Sequence, residues 1–269
     1  MPAPCNLTPV QRSEFERVGV LRLPGFFAGP AIAGMADALW RDLGRRFGLD
    51  RRRPDTWTTP HPAQFQDLRR SGAFSAMDSP ELAAVADALL GKGRWERPRS
   101  WGQPLVTFPT GAWDVPHKNW HLDLPANASL DELEMIRVFT FLEPARPRGG
   151  GTLYIAGSHR VVSDRGRQEA SGSRLRSSEI RALLQREEPW FAALLSPGGG
   201  DRVKRFMSEG GRVCGVPLRV EEMAGEPGDL VIMHSATFHT VAPNGLDRPR
   251  MMLVQSLYSA RALSQTSNS

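Results

Sequence analysis

Residues 228–258 read GDLVIMHSATFHTVAPNGLDRPRMMLVQSLY. Two apolar runs, Leu230 to Met233 and Met251 to Tyr258, lie between the turn-forming stretches Glu226-Pro227-Gly228-Asp229 and Pro243-Asn244-Gly245. Short runs rich in β-branched and large apolar residues, bounded by Pro, Gly, Asn and Asp, predict strands joined by tight turns. The same texture reaches back to Trp101. Gln103 to Phe108, Glu134 to Leu142, Thr152 to Ala156 and Val216 to Met223 read as further strands, with turns at Pro144-Ala145-Arg146-Pro147 and Gly149-Gly150-Gly151. Many short strands with no helices alternating between them argue for a sandwich or jelly-roll barrel over a doubly wound sheet.

Upstream of residue 100 the pattern is helical. Thr8-Pro9-Val10-Gln11 is a capping-box signature, with Pro at the first helical position and Gly19 as the stop. Val20 to Leu23 reads as a strand ended by Pro24-Gly25. From Pro30 to Phe47, Ile32, Met35, Ala36, Leu39, Trp40 and Leu43 recur at helical spacing. A further helix runs from the Ser79 cap through Pro80 to Leu90, with Gly91 beyond its end. The chain therefore reads as one domain that is mainly β with a helical flank. Residues 1–100 form the flank, 101–262 the jelly-roll core, and 263–269 a disordered tail. Within the core, 163–211 is polar and Arg/Ser-rich, with a small helix at Ser178 to Leu184. A connection of that length is expected to be a functional lid or insertion, or else disordered.

At 269 residues the chain is long enough to bury a core without disulfides or a structural metal. Cys5 and Cys214 are the only cysteines, with no CxxC pair, so a disulfide framework is not expected and a reducing cytoplasm fits. No signal-peptide pattern opens the chain, and no apolar run approaches the ~20 residues of a membrane span. The net charge of +5 comes almost wholly from arginine. The runs Arg45-Arg46 and Arg51-Arg52-Arg53 are short and accompany no nucleic-acid recognition motif. Arginine does suit a small carboxylate or phosphate ligand, through its planar fork.

His121-Leu122-Asp123 supplies two metal-binding side chains two residues apart, which a strand presents on one face. Alone this is a weak signal, since such a pair also occurs by chance. A third ligand is sought among the remaining histidines, His61, His117, His159, His234 and His239. Two imidazoles and one carboxylate would form a facial triad that leaves three positions open on Fe(II). The distal stretch adds weight: His239 is followed eleven positions later by Arg250, across a turn and at the start of the last strand. An arginine beside a metal pocket can grip a carboxylate bidentately. His234 and His239 differ by five positions, so a continuous strand would point them to opposite faces. Arg248 competes with Arg250, but Pro249 assigns it to the turn.

Trp120-His121-Leu122-Asp123, Leu7-Thr8-Pro9-Val10-Gln11 with Phe15-Glu16, Gly149-Gly150-Gly151-Thr152-Leu153 with Gly157-Ser158-His159, and Gly228-Asp229-Leu230 through Arg250 together resemble the phytanoyl-CoA dioxygenase family of iron(II)/2-oxoglutarate oxygenases. Residues 45–99 and 163–211 carry no such match. The resemblance implies a double-stranded β-helix with His121, Asp123 and His239 as iron ligands and Arg250 as the 2-oxoglutarate anchor. A small hydroxyl residue often stands two positions after the distal histidine in this family. Here that position is Val241, which leaves Thr240 and Thr152 as candidate partners of the co-substrate. Trp120 and His117 are candidate substrate contacts by their place beside the ligands, and Gly157-Ser158-His159 is expected to be a turn closing a strand.

The implied chemistry couples oxidation of a small-molecule metabolite to conversion of 2-oxoglutarate and dioxygen into succinate and carbon dioxide, with hydroxylation the default outcome. Asp123 argues against halogenation, because related halogenases carry a small residue there. Two rival readings are a cupin-like metal enzyme that uses no 2-oxoglutarate and a metal-free jelly-roll module that binds an anionic ligand. Partners other than a small molecule are not expected, and the sequence does not speak to the oligomeric state.

Overall fold

Alternation along β9 (Arg250–Tyr258) sets the layers of the protein, described in a computed structural model for residues 7–124, 133–168, 175–198, 200–260 and 262. Met251, Leu253 and Leu257 point to one side of the strand, into the cluster built with the N-terminal helices. Met252 and Val254 point to the other, into a cluster between two sheets. Successive side chains on a strand face opposite ways, so a doubly buried strand is apolar throughout.

The larger sheet is antiparallel, in the order β1 (Val20–Leu23), β7 (Leu230–His234), β3 (Met135–Phe141), β9 and β2 (Gln103–Thr107). Facing it is a second antiparallel sheet, β5 (Gly211–Val213), β6 (Val216–Glu222), β4 (Thr152–Ala156) and β8 (His239–Val241). His121 bridges to His239 and extends that sheet by one residue. Phe139, Phe141, Tyr154, Met223, Val231 and Met233 fill the space between the sheets. This is the jelly-roll arrangement expected of the strand pattern. Asp229 holds the turn before β7, accepting from the backbone N–H groups of Gly25 at 2.8 Å and Glu226 at 2.9 Å. The turn before β4 is held by packing: a Cβ on Gly151 would lie 2.2 Å from the Met223 carbonyl, so only glycine fits.

The helical flank forms as expected. In α1 (Pro9–Val18) the Thr8 hydroxyl accepts from the Gln11 N–H at 3.2 Å and the Gln11 side chain accepts from the Thr8 N–H at 2.8 Å. α2 (Gly29–Phe47) and α4 (Pro80–Leu90) bury Leu39, Leu43, Leu82 and Val85 against the outer face of the larger sheet. A short α3 (Gln66–Arg70) lies between them in sequence.

Within 163–211 the described residues contribute to α5 (Ser158–Gln168), α6 (Ser177–Glu187), α7 (Pro189–Leu195) and a π-helical turn (Lys204–Glu209), which cover the outer face of the smaller sheet. Ile180, Leu184, Phe191, Leu194 and Phe206 are fully buried there against Leu153, Ile155 and Phe238. The polar composition hid this layer, because its apolar residues occupy only one stripe of each helix. Gly157, at φ 83°, makes the turn that closes β4, and Ser158 and His159 begin α5 directly after it. The tail expected over 263–269 lies outside the described residues. Among those described, no helix is long and apolar enough to cross a membrane.

Candidate metal centre

His121 and His239 face each other across a two-hydrogen-bond backbone bridge, N–H to carbonyl at 3.0 and 3.1 Å. Directly opposed residues of antiparallel strands share a face, and the imidazole centroids are 4.2 Å apart. Asp123, two residues on, returns to that face, and one donor atom from each of the three residues lies within 4.8 Å of the others.

Each ring is set to offer the same atom. His121 Nδ1 lies 2.8 Å from the Asn119 carbonyl and His239 Nδ1 lies 3.0 Å from the Thr237 carbonyl. A carbonyl only accepts, so Nδ1 carries the proton and Nε2 keeps its lone pair for a cation. Asn119 adopts a left-handed conformation at φ 63°, which aims its carbonyl at the ring; Asn tolerates that region better than most residues. Burial, and then the neighbouring His121, pushes His239 down to about 3, so it is neutral and ligand-competent at ordinary pH.

Asp123 is held by one oxygen. Its Oδ1 accepts from Arg137 Nη1, while Oδ2 is enclosed without a hydrogen-bond partner and lies 3.7 Å from His239 Nε2. Burial pushes the carboxyl group up, and Arg137 and His121 oppose that shift. A buried carboxylate oxygen with no donor is costly, and a cation between Oδ2 and the two Nε2 atoms would satisfy it. The donor set, two imidazole nitrogens and one carboxylate oxygen, fits a divalent transition metal with open coordination positions.

Arg250 opens β9 on the inner face. It is 3% exposed; Nη2 donates to Thr107 Oγ1 at 2.7 Å, Nη1 to the Leu105 carbonyl at 3.2 Å, and Nε has no partner. Leu105 pairs with Met252, and Arg137, which contacts Asp123, pairs with Ser256, so the guanidinium leans along the sheet toward the end where His121, Asp123 and His239 sit. Burial pushes Arg250 down to about 10, with Glu222 opposing, and it stays charged at neutral pH. Thr107 is absent from the expected residues. It is found only through the β2–β9 register, which sets it opposite Arg250.

The other expected residues separate by face. Thr152 pairs with Val241 and shares the inner face with His239, whereas Thr240 pairs with Leu153, looks outward and donates to the Lys118 carbonyl at 3.3 Å. Val241 is 47% exposed, an apolar side chain at the mouth of the interior. Trp120 does not face a substrate space: it is buried in the outer cluster with Leu122 and donates to the Pro116 carbonyl at 2.8 Å. His117 is half-buried on the approach to His121. Arg248 is 80% exposed on the turn.

His234 points away from the centre and packs on His159, ring centroids 4.9 Å apart. Burial pushes His159 down to about 4 and His234 down to about 3, His159 adding to the latter. Both rings are neutral in the fold, and the unfolded chain takes up protons first, near the ordinary value of about 6.5. Stability from this pair is therefore complete above about pH 6.5 and is lost as pH falls toward the folded values, by at most ~1.4 kcal/mol per pH unit per ring. In urea titrations of metal-free protein between about pH 7.5 and 5, His159→Gln should lose less stability on acidification than the wild type. An equal loss in both would remove His159 as a cause.

A family model described as phytanoyl-CoA dioxygenase (PhyH) matches residues 15–199, a span that includes His121 and Asp123 and stops before His239 and Arg250. No protein of curated function matches in sequence. Among solved structures, the chain is similar to EvdMO1 at 18% identity and TM-score 0.55, covering 93% of this chain but only 49% of that one. HygX from Streptomyces hygroscopicus, with nickel and 2-oxoglutarate bound, matches at 16% identity and TM-score 0.54 over 94% of this chain and 87% of that one. EctD from S. alaskensis, with 2-oxoglutarate and 5-hydroxyectoine, matches at 16% identity and TM-score 0.55 over 97% and 78%. These likenesses establish the fold, and the family match spans well over half of the sequence. The chain belongs to the phytanoyl-CoA dioxygenase family.

Proposed function

We propose that this protein is an iron(II)- and 2-oxoglutarate-dependent dioxygenase that hydroxylates a C–H bond of a small-molecule metabolite, with His121, Asp123 and His239 holding the metal and Arg250 the co-substrate. The observation that carries the reading is a buried, incompletely satisfied Arg250 on the inner face of the larger sheet, turned into the same interior as the three-residue cluster of the facing sheet, whose Asp123 Oδ2 lacks a partner. A structural metal site would need no such arginine. The 2-oxoglutarate bound in HygX and EctD supports the same reading.

Iron(II) would supply the redox chemistry that activates dioxygen against the keto acid. The protein's own residues do the rest. Asn119 and Thr237 fix the tautomers of the two histidines. Arg250 would donate to the distal carboxylate, oriented by Thr107, in a site dry enough to strengthen the ion pair. Thr152 is positioned to add a hydroxyl contact from the facing sheet, where Val241 has none to give. The balanced reaction takes substrate, 2-oxoglutarate and dioxygen to hydroxylated substrate, succinate and carbon dioxide.

The test is aerobic succinate release dependent on added Fe(II), run across a metabolite panel, with product mass measured. A product heavier by one oxygen supports hydroxylation. Loss of two hydrogens, or an unchanged mass with altered stereochemistry, replaces it with desaturation, ring closure or epimerisation. Absence of succinate under every condition, together with no heat of 2-oxoglutarate binding to the nickel-loaded protein, would sink the oxygenase reading.

A further inference from the structure

The interior face of the larger sheet carries a second arginine with no role in the reading above. Arg137 lies in β3 opposite Ser256 of β9 and Met233 of β7, so it enters the interior from the sheet that faces the metal ligands. It is the single charged residue in a strand that otherwise reads Met-Ile, then Val-Phe-Thr-Phe. Nη1 donates to Asp123 Oδ1 and lies 3.4 Å from His239 Nε2. Nε is enclosed without a partner, and among the described residues Nη2 makes no hydrogen bond.

A guanidinium carries five N–H donors in one plane, and the protein uses only one edge of this one. Leaving the enclosed Nε unpaired is unfavourable, while the rest of the guanidinium, on a side chain 24% exposed, stays open to a ligand. Asp123 and Arg137 cancel in charge, so a divalent cation joining the site would leave two positive charges uncompensated. An anion beside the metal lowers that charge and completes the hydrogen bonding. Position then decides which anion. The guanidinium borders the space enclosed by the three ligand atoms, so its partner is a group that itself reaches the metal.

Resting on the 2-oxoglutarate reading, we propose that Arg137 holds the metal-proximal carboxylate of 2-oxoglutarate, so that the site grips this dicarboxylate with an arginine at each end. Arg250 takes the distal carboxylate. Between the two arginines the same face presents Phe139, Met252 and Val254, an apolar floor suited to the methylene body of the ligand. Arg137 thus has two partners: Asp123 on one side, which it keeps turned so that Oδ2 is free, and the keto-acid end on the other.

The experiment is anaerobic calorimetry on nickel-saturated protein with two ligands, 2-oxoglutarate and 2-oxobutyrate. The second keeps the keto acid and lacks the distal carboxylate. Arg137→Met should weaken both ligands by about tenfold or more, as expected for loss of a charge-assisted contact, while Arg250→Met weakens only 2-oxoglutarate. Arg137→Lys, which keeps the charge without the fork, should fall between wild type and Arg137→Met for both. Circular dichroism checks folding, and if the methionine variant does not fold, the lysine variant decides alone. Affinities within twofold of wild type for both ligands in the folded variants would overturn the proposal. So would a variant that needs more nickel but binds both ligands normally once saturated, which would make Arg137 a positioning residue for Asp123 only. A wild type that binds no 2-oxoglutarate is a different result, because it removes the parent reading instead.

Discussion

Asp123→Ala should lower metal affinity by more than ~100-fold, beyond the 10–100-fold that loss of an outer partner of a metal ligand costs. Two effects add. The variant loses one of three donors and the only negative charge in the cluster, and it leaves the Arg137 guanidinium without the carboxylate it contacts. A buried charge stripped of its partner is strongly unfavourable. The remaining histidines would then face a cation that repels the metal. Asp123→Asn separates the contributions, since it keeps the shape and an acceptor oxygen but removes the charge. Nickel titration followed by calorimetry gives the order wild type, then Asp123→Asn, then Asp123→Ala. Retained affinity in the alanine variant would show that the metal sits elsewhere or that no metal is bound specifically.

Arg250→Met should weaken 2-oxoglutarate by about 30-fold or more, the low end of the 2–5 kcal/mol typical for truncating one member of a buried charged pair. Nickel affinity should not change. The guanidinium is 3% exposed, so water cannot replace it for the bound carboxylate. Methionine fills much of the same space, which keeps the loss from being a packing defect. Arg250→Lys tests the fork: a point charge cannot donate to Thr107 Oγ1 and grip both oxygens of a carboxylate in one plane. Thr107→Val should show a smaller loss in the same direction, because it frees the guanidinium to turn. Unaltered 2-oxoglutarate binding in Arg250→Met would favour a metal enzyme of the same fold that uses a different co-substrate.

Much of the framework is legible in local sequence. α1 is announced by Thr8, Pro9, Gln11 and Gly19, because capping and termination depend on residues within one turn of each other. The strands β4, β6, β7 and β9 follow from short apolar runs between Pro and Gly turns. β8 is harder to see, since His239 to Val241 is three residues long and holds its place through pairing with β4. The layer formed by α5, α6 and α7 is hidden by the polar residues on the outer side of α5 and α6.

The centre divides in the same way. His121 and Asp123 declare themselves because two residues of spacing on a strand is a local rule, and His239 with Arg250 is marked by motif spacing. The rest of the centre depends on which strand lies beside which. Trp120 is next to His121 in sequence, yet its side chain turns the other way and ends in the outer core. Thr107 meets Arg250 across a gap of 143 residues, and Arg137 meets His239 across 102. Sequence by itself singled out His121, Asp123, His239 and Arg250 as candidates, because spacing on a strand and across a turn is a short-range property. Only the tertiary structure decided the neighbours that hold and complete them, because register between distant strands is set by the packing of the whole double sheet.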